Sequence, residues 1–259
     1  TLFPPMVGGI FYEHGHRMVA TTVGSLVLCL TIWLGIKEKR RWVRHLGIAA
    51  LGAVVLQGIL GGLTVLFFLP TAISASHAVL AQTFFIVTIV IAYSLSLERE
   101  RRESLPKATS PWLLRMIFVS GVLIYVQLIF GALMRHTESG LAIPDFPRMG
   151  GYWIPPFNDA MLRHINDWRF EHDLPMVNMA QVMIHFVHRA GAFFILVTIG
   201  LLNIVTLREK ISDKMIMSTV WMLNALVAAQ IGLGIFTVLS EKSPHITSTH
   251  VMTGAATLG

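Results

Sequence analysis

Four histidines in this chain stand near the ends of apolar runs, and they repeat. His16 precedes Arg17 in "EHGHR", and His188 precedes Arg189 in "HFVHR". His77 closes "QGILGGLTVLFFLPTAISASH" and His250 closes "QIGLGIFTVLSEKSPHITSTH". Both stretches open on glutamine, carry Thr-Val-Leu and reach histidine 20 positions later. The second pair follows the first at offsets of 172 and 173 residues. A lone histidine at a helix end is usually interfacial or a hydrogen-bonded core group. Four at duplicated positions read as ligands, because polar groups in membrane spans are costly and mark function. Two imidazoles on facing helices of a four-helix bundle can hold a heme iron from both faces. The pairs His16/His77 and His188/His250 thus predict one such site per half. Zinc is the alternative, but it prefers compact tetrahedral sets with carboxylate or thiolate, and the repeat offers separated pairs.

The neighbours of these histidines carry further chemistry. Glu13 lies three positions before His16, as His185 lies three before His188. Residues i and i+3 share a helix face, so Glu13 is expected to look toward the space at His16. A carboxylate there could stabilise a cation, relay a proton or hydrogen-bond a substrate; the plainer role is to favour the helix dipole. Arg17 and Arg189 are placed to pair with heme propionates or to snorkel at the interface. Gln57 and Gln230 lie deep in apolar runs and are expected to hydrogen-bond within a bundle, beside "GGL" and "GLG", which permit close helix packing. His14, His45, His136, His164, His172 and His245 lie in or beside loops and read as interfacial or solvated.

Only membrane helices can position these groups. Charged residues make up 13% of the chain and hydrophobic ones 54%, against about 25% charged in ordinary soluble domains. Seven apolar segments are expected as helices, near Met18–Ile36, Leu46–Leu69, Ile73–Leu97, Trp112–Met134, Met179–Leu207, Met215–Leu239 and Thr247–Gly259. Helices satisfy their backbone internally, as lipid demands. The basic loops "KEKRRWVRH" (37–45), "ERERRESLPK" (98–107) and "REKISDK" (208–214) are expected on the cytoplasmic side. The net charge of +6 follows from these loops and implies no nucleic-acid partner. The long connection 135–178 then lies outside, where its length points to a folded or functional loop. Cys29 is the single cysteine, so no disulfide forms within the chain.

The repeat predicts an all-α polytopic membrane protein of two pseudo-symmetric four-helix bundles. Eight spans are expected, with seven visible, the first missing and the last truncated, as for a piece of a longer protein. The halves are expected at 1–107 and 108–259, the second including the outer loop 135–178. "QLIFGALMR" (127–135) would belong to the first helix of the second half.

"EHGHR", "RHTESGLAIPDFP", "HFVHR" and the spaced His77 and His250, in this order along nearly the whole chain, resemble the heme A synthase family. The resemblance implies a membrane oxidoreductase that converts heme O to heme A, oxidising a porphyrin methyl to a formyl group through a hydroxylated intermediate, for terminal oxidase biogenesis. It implies that Glu13 is catalytic and that His16, His77 and Arg17 hold the substrate heme. It implies that His188, His250 and Arg189 hold a resident heme b, with all four histidines ligating heme iron. Many members carry an outer-loop cysteine pair; "LAIPDFPRM" has isoleucine and methionine there, so no thiol relay through this loop is expected.

The expected partners are heme O, a heme O synthase, terminal oxidase assembly factors, an unidentified electron donor, membrane lipid and a second copy of the chain. The expected location is a bacterial plasma membrane rather than the mitochondrial inner membrane, with heme sites toward the outer side. Two rival functions use the same histidines: a di-heme b electron carrier linked to quinol, and a heme chaperone without turnover. Transmembrane electron carriers usually place hemes toward both faces, whereas these histidines gather at one; a chaperone leaves Glu13 without a role.

Overall fold

The computed structural model describes residues 8–67, 70–103 and 110–259. Among them the only β-type pairing is an isolated bridge between Met149 and Tyr152. The chain forms two compact units, Thr1–Pro106 and Lys107–Gly259. The expected division at 107/108 falls in 104–109, and the expected end of the second span at Leu69, both outside the described residues.

In the first unit, α1 (Gly8–Lys37) packs on α2 (Arg41–Leu66) and α2 on α3 (Thr71–Ser94); a short α4 (Leu97–Glu103) follows. Leu34, Val43 and Ala50 are fully buried where α1 meets α2. Gly47 permits that approach: a Cβ there would stand 2.8 Å from Leu34 Cδ1. Thr31 Oγ1 also donates to the Gly47 carbonyl at 2.9 Å. The turn between the helices is closed by Arg40, whose guanidinium and backbone N–H bind Glu38 and hold its carboxyl at about pKa 2.

The second unit contains α5 (Pro111–His136), a 3-10 turn (Ser139–Leu141), α6 (Asp159–Glu171), α7 (Met179–Arg208), α8 (Lys214–Leu239) and α9 (Pro244–Leu258). Contacts run α5 to α7, α7 to α8, α8 to α9 and α9 back to α5, which closes a four-helix bundle. Its core is built on Leu113, Ile199 and Leu202. Asn203 and Asn224 exchange amide hydrogen bonds of 2.9 and 3.0 Å between α7 and α8, satisfying both side chains where water is scarce.

The helix starts follow local chemistry. Ser110 caps α5 ahead of Pro111. Asn178 and Gln181 form a capping box on α7, and Asp213 caps α8. The helices α2 and α8 both have 26 residues.

Six helices (α1, α2, α3, α5, α7 and α8) are long and apolar enough to cross a membrane; α9 has 15 described residues. Large apolar side chains stand exposed along them, among them Ile36, Phe118, Leu207 and Trp221, each at least 69% exposed. Such surfaces need lipid rather than water. The protein is an integral, multi-pass, all-α membrane protein.

Two elements differ from the sequence expectation. The described residues of α1 are helical from Gly8 onward, well before Met18, so Glu13, His16 and Arg17 are helical residues rather than residues at its mouth. Hydropathy marks the bilayer core, while a helix continues into the interface. Part of the basic stretch 98–107 is the helix α4, with Glu98 and Glu100 in its first turn complementing the dipole.

Candidate functional site

In the second unit, α7 and α9 bring His188 and His250 together. Their ring centres lie 6.5 Å apart and their planes cross at 80°. Two imidazoles sharing one metal at about 2.0 Å from each nitrogen have ring centres roughly 6 Å apart. His250 Nδ1 is buried without a partner in the protein, and so is Thr247 Oγ1 one turn earlier. Orphaned buried polar atoms are rare and call for an ion, water or ligand. The residues present therefore fit a metal ion, such as a heme iron, that His188 and His250 would hold between them. Among the described residues no group of three or more His, Cys, Asp or Glu side chains could hold a metal ion, which leaves separated pairs rather than a tetrahedral set.

The first unit presents the matching positions. His77 on α3 has a buried Nδ1 without a partner, and Ser74 Oγ one turn earlier is likewise unpartnered. His16 on α1 lies within electrostatic reach of His77. Ser74 and Thr247 went unnoticed in the sequence, although each sits three positions before a repeated histidine.

Glu13 and Arg17 form an ion pair along α1, Arg17 Nη2 to Glu13 Oε1 at 2.7 Å. Both side chains are more than half exposed, so the carboxylate and the guanidinium present one joint polar surface close to His16.

The corresponding residues of the second unit do something else. His185 is 2% exposed, and its Nδ1 accepts the backbone N–H of Ile143 at 3.1 Å. A neutral imidazole accepts at one nitrogen only, so Nε2 carries the proton, and Arg189 Nε at 3.3 Å is a packing neighbour. Arg189 directs Nη1 to the carbonyls of Asp145 (2.9 Å) and Arg148 (3.2 Å), and Nη2 to that of Ile143 (3.0 Å). His185 and Arg189 thus latch the long connection onto α7. A propionate beside His188 would have to share Arg189 with this latch.

The connection is a folded cap. Ala142, Ile143, Met161, Ile165 and Val177 form a buried core that it shares with Val182 of α7. Arg169 is buried and donates to the carbonyls of Pro175 (2.6 Å) and Leu141 (2.7 Å); burial lowers its pKa from the usual guanidinium value. Asp145 accepts the N–H groups of Gly150 (2.6 Å) and Gly151 (2.8 Å). Both glycines have positive φ, which lets them turn back toward that carboxylate. At the positions where the resemblance would put cysteines, Ile143 is fully buried and Met149 packs on the same core. A cleft of about 240 Å³ between Pro144, Phe146, His164, Trp168 and Leu239 is smaller than the ~300–1,000 Å³ of typical small-molecule sites.

Known proteins resemble this chain along nearly its whole length. A family model described as "Cytochrome oxidase assembly protein" matches residues 7–259. Among similar curated proteins, the heme A synthase of Halalkalibacterium halodurans is 26% identical over 93% of this chain and 74% of its own length. That of Symbiobacterium thermophilum is 26% identical, with 90% and 71% covered. That of Mesorhizobium japonicum is 28% identical, with 93% and 64% covered.

Proposed function

This chain belongs to the cytochrome oxidase assembly protein family, and from that premise we propose that it is a heme A synthase, an oxidoreductase converting heme O to heme A. The observation that carries this reading is a family match over residues 7–259, a range that contains Glu13, His16, His77, His188 and His250.

The finer assignment divides the work between the halves, 1–107 and 108–259. His188 and His250 hold a resident heme b, which supplies reversible one-electron chemistry when bound. The 6.5 Å separation of their rings supports this pair as axial ligands. His16 and His77 take heme O as substrate. Glu13, ion-paired to Arg17, would stand beside the heme O methyl whose oxidation to the formyl group is the proposed activity. Its carboxylate can accept a proton there or stabilise positive charge as it develops. Arg17 anchors the substrate propionates while orienting Glu13, and Arg189 shares its loop-latching guanidinium with a propionate of heme b. A heme O synthase delivers the substrate, and oxidase assembly factors receive the product. An unidentified electron donor, membrane lipid and a second copy of the chain complete the expected partners.

Pigment extraction from the purified protein tests the function. Heme O, hydroxylated heme or heme A beside heme b is expected. Heme b alone would instead favour a di-heme carrier or a chaperone.

The basic loops support a bacterial plasma-membrane orientation with Arg41 and Arg101 cytoplasmic and Trp153 outside. Single cysteines introduced at these positions in a Cys29→Ser background, probed with a membrane-impermeant thiol reagent in intact cells, should label at 153 only. Labelling at 41 but not 153 would invert the orientation.

A further inference from the structure

Three of the four histidines are met by the same two residues of a neighbouring helix. Gln57 Nε2 on α2 donates to the carbonyl of His77 at 2.9 Å. Gln127 on α5 donates to that of His188 at 2.8 Å, and Gln230 on α8 to that of His250 at 2.7 Å. Four positions after each glutamine stands a glycine against the ring. A Cβ at Gly61, Gly131 or Gly234 would lie 3.4 Å from Cε1 of His77, His188 or His250 respectively. The local sequences "QGILG", "QLIFG" and "QIGLG" share little besides these two residues.

We propose that the Gln-x3-Gly pairs Gln57/Gly61, Gln127/Gly131 and Gln230/Gly234 are positioning residues that set the height and ring plane of the iron-binding histidines. The proposal rests on the reading of His77, His188 and His250 as heme ligands. Four residues make about one helical turn, so amide and glycine form one stripe of the donor helix. The amide takes the second lone pair of a carbonyl whose first can serve the helix itself. It thereby fixes how far one helix slides along the other without breaking either. The glycine sets the opposite boundary. A methyl there would already touch the ring, and a branched side chain would drive the imidazole toward its partner.

Room for the amides is also built in. A Cβ at Gly191, one turn after His188, would collide with Gln127 Oε1; one at Gly254, one turn after His250, would stand 3.0 Å from Gln230 Nε2. Gln127 Nε2 also lies 3.2 Å from His188 Nδ1, so this amide touches both the backbone and the ring of its histidine. Generic amide bonding between membrane helices would accept any nearby carbonyl. Here all three amides choose the carbonyl of the histidine itself.

The test uses the whole protein extracted from membranes. Gln127→Met and Gln230→Met keep the side-chain size and remove the donor. Both are expected to retain heme b. Each should move the ferric low-spin resonance away from the strongly anisotropic signal of perpendicular axial planes and shift the heme midpoint potential. Each should also release heme b several-fold faster to an apo-globin acceptor. Gln57→Met should leave that resonance and potential unchanged while slowing heme O conversion several-fold. If both methionine variants keep the parent resonance, potential and release rate while His188→Ala loses heme b, the glutamines are only helix glue and the proposal is overturned. If His188→Ala and His250→Ala both keep heme b, the ligand reading itself has failed. Should Gln127→Met not accumulate, Gln230→Met decides alone, since its amide bridges α8 and α9 rather than α5 and α7.

Discussion

Replacing His188 or His250 with alanine should reduce heme b in the purified protein to a small fraction of the parent ratio. On the proposed reading each histidine supplies one ligand to the iron, and the 6.5 Å spacing of the rings leaves room for one metal between them. The bundle should also weaken. A ligand present at 100 to 1,000 times its dissociation constant stabilises the folded state by roughly 3–4 kcal/mol, and that contribution disappears with the heme. His185→Ala provides the contrast. It removes the acceptor for the buried Ile143 N–H, a loss of about 1–3 kcal/mol, and loosens the outer cap, but both axial positions stay filled. Quantifying extracted heme b per protein, together with thermal unfolding, separates the two outcomes. If His188→Ala keeps heme b and stops making heme A, while Glu13→Ala loses heme b, the roles of the halves are reversed.

Glu13→Ala should slow heme A formation by at least about 100-fold, the lower end of what a positioned acid–base group contributes, while heme b is retained. Glu13→Gln should fail almost as badly. Its amide oxygen can still accept from Arg17, as Oε1 does at 2.7 Å, but the charge and the proton acceptor are gone. Arg17→Lys should be milder, because it keeps a cation near Glu13 while losing the planar fork. The measurement is heme O, hydroxylated heme and heme A extracted from cells at matched protein level. Normal heme A in Glu13→Gln would remove the carboxylate from the reaction.

Much of this was legible along the chain. The spans could be read because each carries some twenty apolar residues in a row, a signal that needs no partner. The histidine pairs were legible because a repeat copies spacing. Misreadings arose where a signal depends on contacts between distant segments. Residues 159–171 read as loop, yet they form α6, capped by Asn158 and turning Met161, Ile165 and Arg169 inward. The one-turn spacing of those residues was available; the buried arginine hid it, because its charge is satisfied by two carbonyls of other segments.

The sequence by itself determined that the protein lies in a membrane, that stretches of it repeat, and that histidines recur at matched spacing. These are properties of composition and of spacing along one chain, and lipid leaves the backbone few alternatives to the helix. Tertiary structure alone decided what each polar side chain does. Glu13 and His185 occupy the same place in the repeat, but Glu13 pairs with Arg17 on an exposed face while His185 is buried against Ile143, 42 positions away. Gln127 reaches the carbonyl and ring of His188 across 61 residues. A hydrogen bond depends on where two helices cross, and that crossing is set by the packing of all the side chains between them, which no single stretch of chain encodes.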